Sequence, residues 1–303
     1  MGQGQAIAHT AKGGAKHSKN GNALPLRDGG VWMDDFCLGV DVSSWQPKVD
    51  WKVLYEGGVR FAIVKLSQGN YSYDRFTREH VRGARDAGML VGLYHWHDPL
   101  CNVKSQVDFI KNCLVGIDYD FFCVDVEQYW ADWGEWRQQY ITKKLGAATI
   151  SVSSHQLASE MKKVTGKKTM VYTRASFVKE YAPTMQTWLK DWDLWLAHYP
   201  YRPGRVSVSW EGLKASNLPG IPGPSIPPNC REWKIWQFSG DKFVLPGVST
   251  PLDLNFFHGN EKEMRTWLGL DVEISQPIEL DYESMVRLLW QAHPELHKQE
   301  VKA

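Results

Sequence analysis

Short runs of apolar residues recur along the chain from about residue 36 to residue 258. Eight runs are rich in β-branched and aromatic residues, and most are almost continuously apolar, which is typical of parallel strands covered on both faces. They are Leu38–Ser44, Phe61–Ser67, Leu90–Trp96, Phe121–Glu127, Thr169–Arg174, Leu194–Tyr199, Lys234–Ser239 and Leu252–Phe257. We expect each run to form one strand.

The segments between the earlier runs can hold helices. They are Val49–Gly58, Asp74–Gly88, Val103–Leu114, a stretch within Ile141–Val164, and Ser176–Lys190. Six prolines between Tyr201 and Arg231 exclude a long helix there. Repeated strand–helix alternation predicts parallel βαβ units, and eight strands predict closure into a barrel. The expected fold is therefore α/β, an irregular TIM-like (β/α) barrel of eight mostly parallel strands with reduced helices in the last third.

The two ends of the chain differ from this pattern. Residues 1–35 are rich in Gly, Lys, His and Asn and predict a flexible basic arm, while residues 269–303 are acidic on balance. Tyr282–His293 can form one amphipathic helix, which would either pack on the barrel or dock the protein onto a partner or target surface. We expect a barrel domain over 36–268, with the arm before it and the acidic helical segment after it.

Composition narrows the class of protein. Hydrophobic residues make up 43% of the 303 residues, charged residues 23%, and the net charge is +1, which does not favour nucleic acid as a partner. No apolar run approaches the roughly 18 residues that cross a membrane, and the first residues do not resemble a signal peptide. The five cysteines form no Cys-x-x-Cys pair, which indicates reduced thiols. We expect a monomer, made in the cytoplasm without a signal peptide, that needs no cofactor.

One predicted strand, Phe121–Glu127, ends in two carboxylates separated by a single residue, Asp125 and Glu127. Alternate side chains of a strand point to the same face, so the two acids should lie side by side, and one should keep its proton near neutral pH. Glycosidic bond cleavage uses such a pair. The pattern is also common at solvated strand edges, and Asp271 and Glu273 repeat it, so spacing alone does not decide.

Polar residues also mark what we expect to be the carboxyl ends of the other predicted strands, where barrels of this type carry their active sites. They include Asp41, Tyr94, His95, His97, Tyr172, His198, Tyr199, Gln237, Asp253 and Asn255. The histidines could converge on a metal, but we interpret them as hydrogen-bonding residues of a cleft. After Glu127, Trp130, Trp133 and Trp136 recur every three residues, either as the packed face of a helix or as a wall on which sugars stack.

Nine segments in order carry a family resemblance. They are Gly39–Gln46, Val49–Trp51, Phe61–Lys65, Gly92–Trp96, Asp125–Glu127, Val171–Thr173, Leu194–Ala197, Ile235–Ser239 and Leu252–Phe256. Together they resemble glycoside hydrolase family 25, the Chalaropsis-type lysozymes, over nearly the whole predicted barrel. The resemblance implies an N-acetylmuramidase that cuts the β-1,4 bond from N-acetylmuramic acid to N-acetylglucosamine in bacterial peptidoglycan.

The resemblance also implies roles for residues. Glu127 would be the catalytic acid and later the base, and Asp125 would be either a nucleophile or the residue that steadies attack by the substrate's own 2-acetamido group. Asp41 and Asp253 would complete a set of four catalytic acids, and no metal would be needed. The residues expected to bind substrate are Tyr94, His95, Trp130, Tyr172, Trp195, Tyr199 and Gln237.

Two other functions compete with this interpretation. Barrel chitinases carry an Asp-x-x-Asp-x-Asp-x-Glu motif at the corresponding strand, and here Asp120, Asp125 and Glu127 fit it while Cys123 does not. Non-catalytic barrels are the second alternative: the complete set of acids argues against a glycan-binding barrel, whereas a structural virion component derived from a lysozyme would be indicated by the two ends of the chain. We expect a phage endolysin released at lysis or carried on the virion, with a bacterial autolysin as the open alternative.

Overall fold

The structure is a computed structural model that describes residues 36–127, 141–202, 204–215, 223–270 and Val286. Its strands are β1 (Cys37–Val42), β2 (Val59–Gln68), β3 (Ser72–Tyr73), β4 (Leu90–Trp96), β5 (Phe121–Asp125), β6 (Lys168–Thr173), β7 (Leu194–Ala197), β8 (Val206–Ser207), β9 (Ile235–Val244) and β10 (Leu252–Phe257). Eight of them close a barrel in the order β1, β2, β4, β5, β6, β7, β9, β10, because β10 pairs with β1. All eight predicted strands are confirmed.

The barrel is mixed rather than wholly parallel. Each pair from β1 through β9 around the ring is parallel, whereas β10 is antiparallel to both β9 and β1. We call the end at which the parallel strands finish the mouth. Because β10 runs the opposite way, its first residues lie at the mouth, and Asp253 pairs with Asp41. The expectation that Asp253 lies at the carboxyl end of its strand is wrong, although it reaches the same place.

The helices are α1 (Trp51–Glu56), α2 (Thr77–Asp86), α3 (Val103–Leu114), α4 (Ile141–Leu145), α5 (Ala147–Thr165), α6 (Ala175–Glu180), α7 (Trp210–Ala215) and α8 (Glu261–Leu268). Asp50 and Asn102 begin α1 and α3 by accepting hydrogen bonds from backbone N–H groups of the first turn. The single helix predicted over Ser176–Lys190 is wrong, because Pro183 interrupts it and two short 3-10 turns follow. The reduction of helices in the last third is confirmed.

Alternation along the strands separates two layers of side chains. Residues such as Val40, Val91 and Val124 pack in the cluster between strands and helices. The alternate residues point into the barrel. At the end away from the mouth, the rings of Phe61 and Phe121 fill that interior, and both are fully buried. An apolar floor therefore underlies the polar mouth.

Two compact units divide the chain between Met264 and Arg265, and the first contains the barrel. The predicted arm over 1–35 and the tryptophans after Glu127 lie outside the described residues, as does the predicted helix Tyr282–His293 except for Val286, which is helical. The predicted domain boundaries stay a prediction. Within the described part of the chain, no helix is long and apolar enough to span a membrane.

Candidate active site

Asp125 and Glu127 lie together at the mouth. Asp125 is the last residue of β5 and is only 4% exposed, and Glu127 follows two residues later and is half-buried. Val126 between them packs in the cluster beneath the helices. Strand alternation therefore turns both carboxyl groups to the inside of the barrel, as the spacing predicted.

Burial changes the proton affinity of this pair. It raises the pKa of Asp125 well above its ordinary value, and the charge of Glu127 raises that pKa further. Burial also raises the pKa of Glu127, while the positive charges of Arg174 and Lys65 lower it. Two carboxyl groups this close in a buried site do not both ionise near neutral pH. The pair is thus suited to hold one shared proton.

One oxygen of Asp125 is ready to accept a hydrogen bond. Oδ1 is buried and receives no hydrogen bond from any residue within the described ranges. A charged oxygen buried without a donor costs free energy. A bound molecule that presents an N–H or O–H group would remove that cost.

Lys65 brings a positive charge to these acids. It lies in β2, in register with Tyr94 of β4. Its Nζ is 4.9 Å from the ring centre of Trp96 and donates a hydrogen bond to Gln68 Oε1 at 3.4 Å. Burial lowers the pKa of Lys65, and the nearby carboxylates, Asp125 foremost, raise it. The sequence-based prediction gives Lys65 no role, although a lone charge inside an apolar strand is a signal that could have found it.

Asp41 is held by two side-chain amides. Gln237 Nε2 donates to Oδ1 at 2.9 Å and to Oδ2 at 3.1 Å, and Asn255 Nδ2 donates to Oδ1 at 2.7 Å. Burial nevertheless raises the pKa of Asp41 to about 6. Burial and the charge of Asp41 raise the pKa of its cross-strand neighbour Asp253 well above the ordinary value. These two acids form a second carboxyl pair at the mouth.

Gln237 joins this pair to the aromatic residues. Its Oε1 accepts hydrogen bonds from Tyr172 Oη at 2.8 Å and Tyr199 Oη at 2.6 Å. Trp195 is 2% exposed, donates from Nε1 to Asn255 Oδ1 at 2.8 Å, and packs 4.5 Å from the ring of Tyr172. Through these contacts Gln237 and Trp195 hold the acids and tyrosines in place. Tyr199, which is 47% exposed, is the tyrosine of this group that is open to solvent.

Comparison with known families identifies the chain. Residues 40–248 match the family described as glycosyl hydrolases family 25. The chain belongs to glycosyl hydrolases family 25. It is therefore a glycoside hydrolase, and the resemblance found in the sequence is confirmed.

Curated relatives of this family 25 hydrolase include named lysozymes. The autolytic lysozyme of Clostridium acetobutylicum is 26% identical over 69% of this chain and 60% of that protein. Lysozyme M1 of Streptomyces globisporus is 25% identical over 73% of this chain and 68% of that protein. The uncharacterized protein YegX of Escherichia coli K12 is 26% identical, over 76% of this chain and 72% of that protein.

Solved structures share the fold. The bacterial lysozyme from Streptomyces coelicolor matches with a TM-score of 0.60 at 20% identity, over 77% of this chain and 96% of that one. The catalytic domain of endolysin ply40, from bacteriophage P40 of Listeria monocytogenes, matches with a TM-score of 0.52 at 24% identity, over 78% of this chain and 98% of that one. The α/β barrel expected from the sequence is confirmed by these neighbours.

The structure corrects the prediction for His95 in this family 25 hydrolase. Tyr94 packs its ring against Trp195 on the inside of the barrel, so by alternation His95 points to the helices, where it is fully buried. Ser67 Oγ lies 2.8 Å from its Nδ1, and Gln106 Oε1 of α3 lies 3.2 Å from its Nε2. A substrate in the mouth cannot reach a side chain on the other face of β4. His95 is a structural residue, not a substrate-binding one.

Other predicted residues fall into two groups. Trp130 lies outside the described residues. Asp120, which fitted the chitinase motif, binds Arg85 with both oxygens and accepts a hydrogen bond from the backbone N–H of Val91, which is a structural role. In the described ranges, no group of three or more His, Cys, Asp or Glu side chains is arranged to hold a metal ion.

Proposed function

We propose that this family 25 hydrolase is a lysozyme that cleaves the β-1,4 bond from N-acetylmuramic acid to N-acetylglucosamine in peptidoglycan. The observation that carries the proposal is the buried Asp125–Glu127 pair at the mouth of the barrel, with raised pKa values on both acids. Names of relatives support the substrate, since two are called lysozymes. Glu127 is the acid because it is half-buried and can reach the leaving oxygen, whereas Asp125 is buried.

Substrate binding assigns the shared proton. The N–H of the 2-acetamido group donates a hydrogen bond to Asp125 Oδ1, which lacks a donor among the described residues. That hydrogen bond favours the charged form of Asp125, as does the cation of Lys65. The proton therefore moves to Glu127, which becomes the acid for the leaving group.

Bond cleavage then proceeds in two steps. The acetamido carbonyl oxygen attacks C1 of N-acetylmuramic acid while Glu127 gives its proton to the glycosidic oxygen, so the N-acetylglucosamine side leaves as an alcohol. Asp125 stabilises the positive charge on the cyclic intermediate. Water then attacks C1 while Glu127 takes a proton from it. The bond from C1 to the acetamido oxygen breaks, which restores the acetamido group and leaves C1 with its original configuration. Substrate-assisted hydrolysis of this kind is a known alternative to a carboxylate nucleophile.

Replacement of the Glu127 carboxyl group by an amide tests its role as the catalytic acid. Glu127→Gln removes the transferable proton but keeps the shape, so we expect cell-wall clearing to fall by about 10²- to 10⁴-fold. Glu160→Gln is the matched control, because Glu160 is a partly exposed acid of α5 that pairs with Lys163. If Glu127→Gln cleared cell walls at the parent's rate, Glu127 would not be the catalytic acid. The alternative of a non-catalytic glycan-binding barrel would then have to be considered again.

The biological setting is part of the proposal. We propose a monomer without a nucleic-acid partner, made in the cytoplasm and released to the wall at lysis of the phage-infected cell, or carried on the virion. The fold shared with a phage endolysin domain supports this setting. Detection of the protein in purified virions would favour the second route, and its presence only in lysates would favour the first.

A further inference from the structure

Tyr71 is an exposed aromatic residue that the protein nevertheless holds in a fixed position. It lies in the turn between β2 and β3, and 58% of it is exposed. Its hydroxyl donates to Asp98 Oδ2 at 2.9 Å and accepts from Gln68 Nε2 at 3.3 Å. The ring also lies against Gly69, where φ is +53° and any Cβ atom would collide with the ring.

The turn that carries Tyr71 is itself anchored. Asn70 Nδ2 donates to Ser105 Oγ at 3.1 Å, and Cys101 Sγ donates to Asn70 Oδ1 at 3.3 Å. These bonds tie the turn to the start of α3 and to the loop after β4. A surface side chain normally keeps its rotamer freedom, and fixing one in advance lowers the entropy cost of binding a ligand.

Hydrogen bonds connect this ring to the candidate active site. Lys65, whose charge acts on Asp125, donates to Gln68 Oε1, and the amide nitrogen of Gln68 donates to the hydroxyl of Tyr71. Gln68 is the last residue of β2, so Tyr71 lies beyond the mouth end of that strand. The exposed ring is thus continuous with the wall of the cleft but outside the group of carboxylates.

We propose that Tyr71 is a stacking platform for a sugar of the glycan strand that lies outside the pair joined by the scissile bond. The chemical basis is the fit between a flat aromatic face and the C–H face of a pyranose ring. Asp98 and Gln68 add polar groups beside the ring that can bind sugar hydroxyls. This inference rests on the proposed function, because the occupant is the continuation of the same glycan strand.

Glycan strands of defined length test the platform. Peptide-free peptidoglycan strands of two and of four disaccharide repeats are titrated into Glu127→Gln protein, with and without Tyr71→Ala. We expect Tyr71→Ala to weaken binding of the longer strand by about three- to tenfold, the size of one aromatic contact, and to leave the shorter strand unchanged. Tyr71→Phe keeps the aromatic ring and should weaken binding of the longer strand less than Tyr71→Ala does. Tyr55→Ala is the matched control, since Tyr55 is 36% exposed at the end of α1 and covered by the guanidinium of Arg60.

The outcomes separate the two proposals. Equal weakening of both strand lengths by Tyr71→Ala, or weakening of neither while the protein stays folded, overturns the platform and leaves the catalytic assignment intact. Cleavage of the strands by Glu127→Gln, seen by mass analysis of the same samples, overturns the catalytic assignment and leaves the length dependence as a separate result. A reduction confined to the longer strand supports the platform.

Discussion

Lys65 and Asp125 show how single residues set the chemistry of the mouth. Burial favours the neutral form of Asp125, and the cation of Lys65 opposes that effect. The same cation lowers the pKa of Glu127. A charge in the wall of the barrel thus fixes the pH range in which one acid is charged while the other keeps its proton. Spacing along the strand predicted the acid pair, but the balancing lysine comes from β2, which only the fold brings near.

Removal of this charge should move the pH profile. Lys65→Met deletes a group that lowers the pKa of both acids, so both limbs of the bell-shaped profile of kcat/KM should shift to higher pH. Lys65→Arg keeps the charge and should stay close to the parent. A Lys65→Met profile that overlies the parent's would show that Lys65 does not act on the acids.

Strand β4 sends neighbouring side chains to opposite faces of the barrel wall. Tyr94 faces the mouth, while His95 faces α3 and shares Gln106 Oε1 with His97, which lies 3.3 Å from that oxygen. His97 Nε2 in turn lies 2.9 Å from Ser153 Oγ of α5. The chain of hydrogen bonds fastens two helices to the back of the strand. Strict use of alternation could have separated Tyr94 from His95 on sequence alone.

This buried chain makes an acid-sensitive contribution to stability. Burial lowers the pKa of His95 to about 3 and that of His97 to about 4, below the value near 6.5 of an unfolded chain. The unfolded state therefore binds more protons between these values, and stability is lost as pH falls from about 6.5 towards 4.

Replacement of one histidine tests that contribution. The free energy of unfolding should fall between pH 6.5 and pH 4.5 in both proteins. We expect the fall to be about 1–3 kcal/mol smaller in His97→Gln than in the parent. Chemical denaturation at both pH values measures this difference. The carboxyl groups are the same in the two proteins, so their titration cancels in the comparison. Identical pH dependence in the two proteins would show that His97 is not kept neutral in the folded state.

The direction of β10 is one feature of the fold that the sequence did not predict. Strand β9 runs on to Val244, so only residues 245–251 separate it from β10. A parallel crossover needs about a dozen residues or more, and the short connection leaves an antiparallel hairpin. The predicted end of this strand at Ser239 hid that constraint. Asp253 reaches Asp41 because the hairpin returns it to the mouth.

The whole molecule follows its family pattern over most of its length. The match to family 25 covers residues 40–248, which is most of the predicted catalytic barrel. Continuous apolar runs predicted the strands because both of their faces are buried. Alternation within one strand can be read from the sequence, but which strands lie side by side depends on their pairing, so the sequence alone could not show which side chains from different strands meet at the mouth.

Activity should reside in the barrel. We expect the fragment 36–268 to release soluble sugar from purified peptidoglycan at the rate of the full chain, since every residue in the proposed mechanism lies within it. The two proteins are compared at equal concentration on soluble strands and on whole walls. Loss of activity on soluble strands would place an essential part of the site in one of the two ends.

The chemical identity of the new chain ends shows which bond the enzyme cuts. Peptidoglycan is digested to completion, the products are reduced with borohydride, and mass spectrometry identifies the reduced sugar. We expect reduced N-acetylmuramic acid at the new ends after digestion by the parent, and no new ends after digestion by Glu127→Gln. Reduced N-acetylglucosamine at those ends, or freed peptides with intact glycan, would contradict it.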